Sequence, residues 1–195
     1  MLMRKEPRQP GQANPALMQW LVKWVGPLIR LAFRPSVKGW AHLPKDRAFL
    51  LVANHSAGMG LAELACLVDL YHRRFGASRP LAGFALALAF KLWPLSWLLP
   101  ALGAIPSTYE DAYRALAAGV PLLVFPGGDH ETLRPIWQAN RVDFNGRKGF
   151  LRIAQQAQVP IVPMGIYGSH YTAPMLYRAR WLAWALVLPR VVGLK

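Results

Sequence analysis

The chain has 195 residues, enough for one domain with a substantial core. Lys and Arg number 23 against 9 Asp and Glu, a net charge of +14, yet 54% of residues are hydrophobic, with 8 Trp and 8 Phe. That composition excludes a disordered basic tail and fits membrane lipids at an anionic bilayer surface better than nucleic acid, for which no helix-turn-helix, zinc-finger or RNA-binding signature is present.

Residues 1–14 are polar and Pro-rich and read as a disordered start with no secretory signal, so the cytoplasmic face is the expected setting. Residues 15–33, "PALMQWLVKWVGPLIRLAF", read as a helix with Pro15 in its first turn. Gln19, Lys23 and Arg30 fall on nearly one line, and the rest of its surface is apolar, Trp20 and Trp24 included. That is the pattern of an amphipathic helix associating with a membrane interface, kinked at Gly26-Pro27. An ordinary amphipathic helix on the protein's own core shares it. Residues 1–34 therefore form a start plus interfacial helix, and 35–195 an α/β domain.

"SVKGWAHLP" is a strand or turn, and "FLLVA", 49–53, a buried strand that stops at Asn54-His55. Ser56, Gly58 and Gly60 make the chain flexible before a helix over 61–75, which carries the single cysteine, Cys66, as a small buried hydrophobe. Residues 81–105 contain only Lys91 as a charge and are long enough to suggest a membrane span. Pro94 and Pro100 would break such a helix. The expectation is a strand start, a helix lying at the membrane face and a short strand over 103–106. A helix follows from Ser107 to Ala118, stopped by Gly119. "VPLLVF", 120–125, is a second buried strand, ending in Pro126-Gly127-Gly128. A helix over 147–157 and a strand over 159–166 come next, and 175–195, with Trp181 and Trp184, is expected on the membrane too. The alternation predicts an α/β fold with a largely parallel central sheet flanked by helices.

Two strand ends carry chemistry: Asn54-His55-Ser56, and Phe125-Pro126-Gly127-Gly128-Asp129-His130-Glu131. Loops after parallel strands gather at one sheet edge, so the two can face each other. His55 can act as a general base. Gly127 and Gly128 let backbone N–H groups approach a ligand oxygen, as acyl transfer requires. A structural histidine and a plain Pro-Gly-Gly turn are the bland alternatives. Asp129 and Glu131 can equally cap a turn or pair with Arg134, and adjacent side chains of Asp129-His130-Glu131 do not converge on a metal.

The order of these pieces resembles the glycerolipid and lysophospholipid acyltransferase superfamily, most closely its mono- and diacylglycerol-acyltransferase-like branch. "VANHS" resembles the family's first block, "VFPGGDHE" the branch's form of the third, "RVDFNGRKGF" its Arg-Lys-Gly-Phe segment and "VPIVP" the fourth. The resemblance implies transfer of a fatty acyl group from acyl-CoA or acyl carrier protein, as co-substrate, to a hydroxyl of a lysolipid or glyceride, with no further cofactor. It implies His55 as base, with Asn54, Ser56, Phe125, Pro126, Gly127, Gly128 and Glu131 around the substrate. Arg147 and Lys148 would meet phosphate or head-group charge, unless they are only a solvated helix start.

The sequence departs from the family at three places. The usual Asp five residues after the His is Gly60, "GAIPST" lacks the second-block Arg, and the usual third-block Glu is Gly127. A catalytically impaired or non-catalytic lipid-binding relative is therefore the alternative. Glu63, eight residues after His55, shares a helical face with position 60 and lies about 4.5 Å farther on. If Gly58 and Gly60 let the turn run on, Glu63 reaches His55; otherwise it only favours the helix start.

Overall fold

The computed structural model describes residues 9–55, 62–174 and 176. Ser56, Gly58 and Gly60 lie outside these residues, as do 1–8 and all of 175–195 except Leu176.

Asn14 caps the first helix, α1 (Pro15–Trp20), accepting the Ala16 and Leu17 N–H groups, with Pro15 in the first turn. A π-helical turn, Leu21–Val25, joins it to α2 (Gly26–Phe33), so the irregularity predicted at Gly26-Pro27 falls just before that pair. Then come β1 (Leu50–Ala53), α3 (Ala62–Phe75) and β2 (Ala82–Ala85). They are followed by α4 (Leu95–Ala101), β3 (Ala104–Pro106), α5 (Tyr109–Ala117) and β4 (Leu122–Val124). The chain continues through α6 (Gly128–Thr132), α7 (Gly149–Ala157) and β5 (Ile161–Met164). The "SVKGWAHLP" segment contains a 3-10 turn, Trp40–His42, rather than a strand.

The apolar stretch 81–105 is divided into β2, a 3-10 turn, α4 and β3, as the two prolines require. Among the described residues no helix is long and apolar enough to cross a membrane. Thr108 caps α5 by accepting the Asp111 N–H, and Gly119 ends the helix segment at φ +77°.

The strands form one sheet in the order β3-β2-β4-β1-β5, and every pairing is parallel. Side chains alternate across β1, and both faces are covered. Leu50 and Val52 join Leu122, Val124, Ala112, Leu116 and Ile153 beneath α5 and α7. Phe49, Leu51 and Ala53 join Leu67 and Tyr71 of α3 on the other side. This is why "FLLVA" reads as a continuous apolar run. β1 and β4 are adjacent with Val52 opposite Val124, so their C-terminal ends deliver His55 and Phe125 side by side.

α2 packs on α3 through the ion pair of Arg30 with Asp69, at 2.7 Å and with the Asp69 side chain 3% exposed. Arg30 thus leaves the polar line read from the sequence and turns to the protein. Gly26 permits the approach, because a Cβ there would lie 2.2 Å from Asp69 Oδ1. Trp20, Trp24, Leu28 and Leu31 remain exposed, and so do Trp93 and Trp97 around α4.

Candidate active site

His55 sits two residues past β1, and its ring stacks on Phe125, one residue past β4, at 4.4 Å between centroids. Its Nδ1 contacts Oε1 of Glu63, whose side chain is buried in the first turn of α3. A carboxylate at Nδ1 holds the proton there, so the neutral imidazole carries its free lone pair on Nε2.

His55 and Phe125 line a pocket of about 690 Å³. Its apolar wall includes Phe84, Leu86, Val124, Leu133, Phe150 and Ile153, and its polar rim includes Ser107, Thr108, Asp129 and Arg147. Pro126 and Gly128 also line it. Parallel strands ending at one edge place these groups together, as the topology of open α/β sheets favours.

Arg147 Nη1 donates to the Gly127 carbonyl at 2.9 Å, and Nη2 donates to Asp129 Oδ1 at 2.9 Å. Asp129 therefore pairs with Arg147, not with Arg134. The Gly128 N–H donates to the Phe125 carbonyl at 3.1 Å. That donor closes the turn instead of facing a ligand, which corrects the oxyanion expectation for Gly128. Its φ of +46° is one that glycine adopts readily.

Four of the expected substrate-binding residues stand apart from the pocket lining. Asn54 donates Nδ2–H to the Ile166 carbonyl at 2.8 Å and accepts the Ile166 N–H at 2.7 Å, which prolongs the β1–β5 pairing beyond the strands. Gly127 lies beneath the Glu131 side chain. Glu131 is buried and accepts backbone N–H groups. Lys148 is exposed at the start of α7.

The sequence reading missed two groups nearby, Asp143 and His170. Asp143 Oδ2 meets His130 Nε2 at 2.9 Å, and that bond, with the Asn145 N–H, holds the Asp143 carboxyl below its ordinary range. Arg134 is buried beside Glu131, the pairing that the sequence offered for it. His170 is also buried, and its pKa is pushed down by burial and then by the Arg134 charge, against an opposing pull from Glu63. Among the described residues no group of His, Cys, Asp and Glu is arranged to hold a metal ion.

Comparison with known proteins bears on this geometry. A family model described as Acyltransferase matches residues 34–167. An uncharacterized protein of Mycobacterium tuberculosis (strain H37Rv) is 33% identical over 169 residues, 85% of this chain and 47% of its own length. The chain thus spans about half the length of the mycobacterial relatives it matches. A Bos taurus protein described as a DGAT1/2-independent enzyme synthesizing storage lipids is 29% identical over 128 residues, 66% of this chain and 37% of its own. The crystal structure of the 1-acyl-sn-glycerophosphate (LPA) acyltransferase PlsC from Thermotoga maritima matches with a TM-score of 0.56 at 26% identity, over 85% of this chain and 64% of that one. The family match runs through both strand ends that build the pocket, and the fold is that of a lipid acyltransferase; the chain belongs to the acyltransferase family, within the glycerolipid acyltransferase superfamily.

Proposed function

We propose that this chain is a membrane-surface acyltransferase that moves a fatty acyl group from an acyl thioester, acyl-CoA or acyl carrier protein, to a hydroxyl of a lysolipid or glyceride. The observation that carries the reading is the Glu63-held His55 at the wall of an apolar pocket of about 690 Å³. Glu63 answers the missing acid at position 60, which favours an active enzyme over a non-catalytic binder.

In this reading Nε2 of His55 takes the proton from the acceptor hydroxyl. The oxygen attacks the thioester carbonyl carbon, the C–S bond breaks, and the thiolate leaves with the proton returned by the imidazolium. The products are an ester and a free thiol. Glu63 stabilises the imidazolium while it exists. The apolar wall takes the acyl chain, and Arg147 at the rim faces phosphate or head-group charge. Exposed Trp20, Trp24, Trp93 and Trp97 lie at the lipid surface, holding the protein as a peripheral or monotopic enzyme on the cytoplasmic face.

The test is incubation of purified protein with labelled acyl-CoA, or acyl carrier protein, and a panel of lysolipids and glycerides. An acylated lipid is expected. Saturable binding of acyl-CoA with no acylated product from any acceptor would favour the non-catalytic alternative.

A further inference from the structure

Glu131 lies outside the pocket lining, and its carboxylate is engaged elsewhere. It is fully buried. Oε2 accepts the backbone N–H of His55 at 3.0 Å, and Oε1 accepts the backbone N–H of Asp143 at 3.0 Å. Nη1 of Arg134, a residue only 1% exposed, lies 3.8 Å from Oε1. The room for this carboxylate comes from Gly127, where a Cβ would lie 2.1 Å from Glu131 Cγ and 2.3 Å from Oε2.

We propose that Glu131 is a positioning residue for the base: its buried carboxylate pins the main chain of His55 and the main chain at Asp143 together, in a space that exists because residue 127 has no side chain. This rests on the reading of His55 as base. Glu131 is thereby separated from the substrate contacts expected of it.

The physical argument begins with cost. A buried carboxylate is expensive unless hydrogen-bonded and paired, and this one has two backbone donors and a guanidinium. Bonds to an ionised acceptor are the strong kind, more so in a low-dielectric interior. One end of the staple is the first residue after Asn54 at the close of β1. The other is the loop that leads four residues later to Arg147, at the pocket rim. Base and rim cation are thus registered to each other through one carboxylate.

The steric relation also shows how the group can be moved. An aspartate Cβ at position 127 would start beside the present Glu131 Cγ, so its carboxyl would fall close to the present one. Gly127→Asp alone collides with Glu131. Combined with Glu131→Ala it re-creates the acceptor from the other side.

The test uses amide hydrogen exchange, followed by NMR on the full chain in detergent micelles, together with steady-state kinetics. In Glu131→Gln, one carboxylate oxygen becomes an NH₂ that cannot accept a backbone N–H. At least one of the His55 and Asp143 amides should exchange about tenfold faster or more, while those of Leu51 and Leu123 stay as in wild type. With acyl-CoA and an accepted lipid, kcat should fall about tenfold or more and KM should stay within about twofold. The Gly127→Asp/Glu131→Ala exchange should recover protection and part of kcat. Unchanged protection of both amides in Glu131→Gln overturns the proposal, and so does lost protection with kcat intact. If Glu131→Gln does not fold, the exchange variant decides: folded with a protected His55 amide supports the staple, unfolded or unprotected overturns it. Should the wild type transfer no acyl group while either amide loses protection in Glu131→Gln, the staple stands and the acyl-transfer reading falls.

Discussion

Nδ1 of His55 meets Oε1 of Glu63, a residue eight positions later on a different element. His55 follows β1 and Glu63 opens α3, so the contact joins a strand end to a helix start. This contact orients the imidazole and directs its lone pair to Nε2.

Replacing His55 by Ala is expected to lower acyl transfer by roughly 10²–10⁴-fold, the usual worth of general-base assistance. Circular dichroism and thermal melting should stay near wild type. A loss of less than about tenfold in a folded variant rejects His55 as the base.

Glu63→Gln keeps shape but removes the charge that stabilises imidazolium. Turnover should fall by about tenfold or more, with a smaller effect on the melting temperature. Restoring Asp at position 60 in that background should recover part of the rate. Activity within about threefold of wild type would make Glu63 a helix-start residue only.

Arg147 bridges the Gly127 carbonyl and Asp129 with two nitrogens of one planar group, which a lysine ammonium cannot reproduce. Arg147→Lys should therefore reduce kcat/KM by about tenfold for acceptors bearing phosphate and by less for uncharged glycerides. An equal loss on both acceptor classes would mean that Arg147 only braces the turn.

Vesicle binding should depend on the outward aromatics. Sedimentation with anionic vesicles should weaken as salt rises, with a salt-resistant remainder from apolar insertion. Trp20→Ala/Trp24→Ala should remove most of that remainder. Binding to neutral vesicles as strong as to anionic ones at low salt would count against the basic surface.

Stability should fall on mild acidification. His170 and His72 both have pKa values pushed below the ordinary histidine value of 6.5, chiefly by burial; Arg134 adds to this at His170, where Glu63 opposes, and the Val68 carbonyl opposes it at His72. Below pH 6.5 the unfolded chain binds protons that the folded chain does not. Stability is thus complete above that pH and declines as pH falls toward the lowered folded values. Melting temperatures from pH 7.5 to pH 5 would show the decline, and His170→Leu should flatten it. A slope identical to wild type in that variant would assign the effect elsewhere.

Much of the fold was legible because parallel strands covered on both faces are apolar throughout, and "FLLVA" and "VPLLVF" say so in one line. The two prolines within 81–105 divided that stretch correctly for the same local reason. The dyad was legible only as an alternative, since the meeting of Glu63 with His55 depends on a turn that spacing leaves open. Asn54 and Glu131 were assigned to substrate because a motif gives order, not direction. Only tertiary placement turns Asn54 to Ile166 and Glu131 to backbone amides. The wall residues Phe84, Leu133 and Phe150 come from three separate elements or loops, and no local pattern gathers them.

The Arg30–Asp69 pair has a consequence for reach. Asp69 and Glu63 share α3, six residues or about 9 Å apart along its axis. Arg30 grips both oxygens of Asp69 at 2.7 Å, and any Cβ at Gly26 would collide with that carboxylate. The ion pair thus ties the N-terminal helical segment that carries Trp20 and Trp24 to α3, which carries Glu63. On the proposed membrane-surface reading, the N-terminal helices would work as a depth gauge: wherever their outer face came to rest, His55 would come to rest at a set height from it, and only a hydroxyl presented at that height would come within its range.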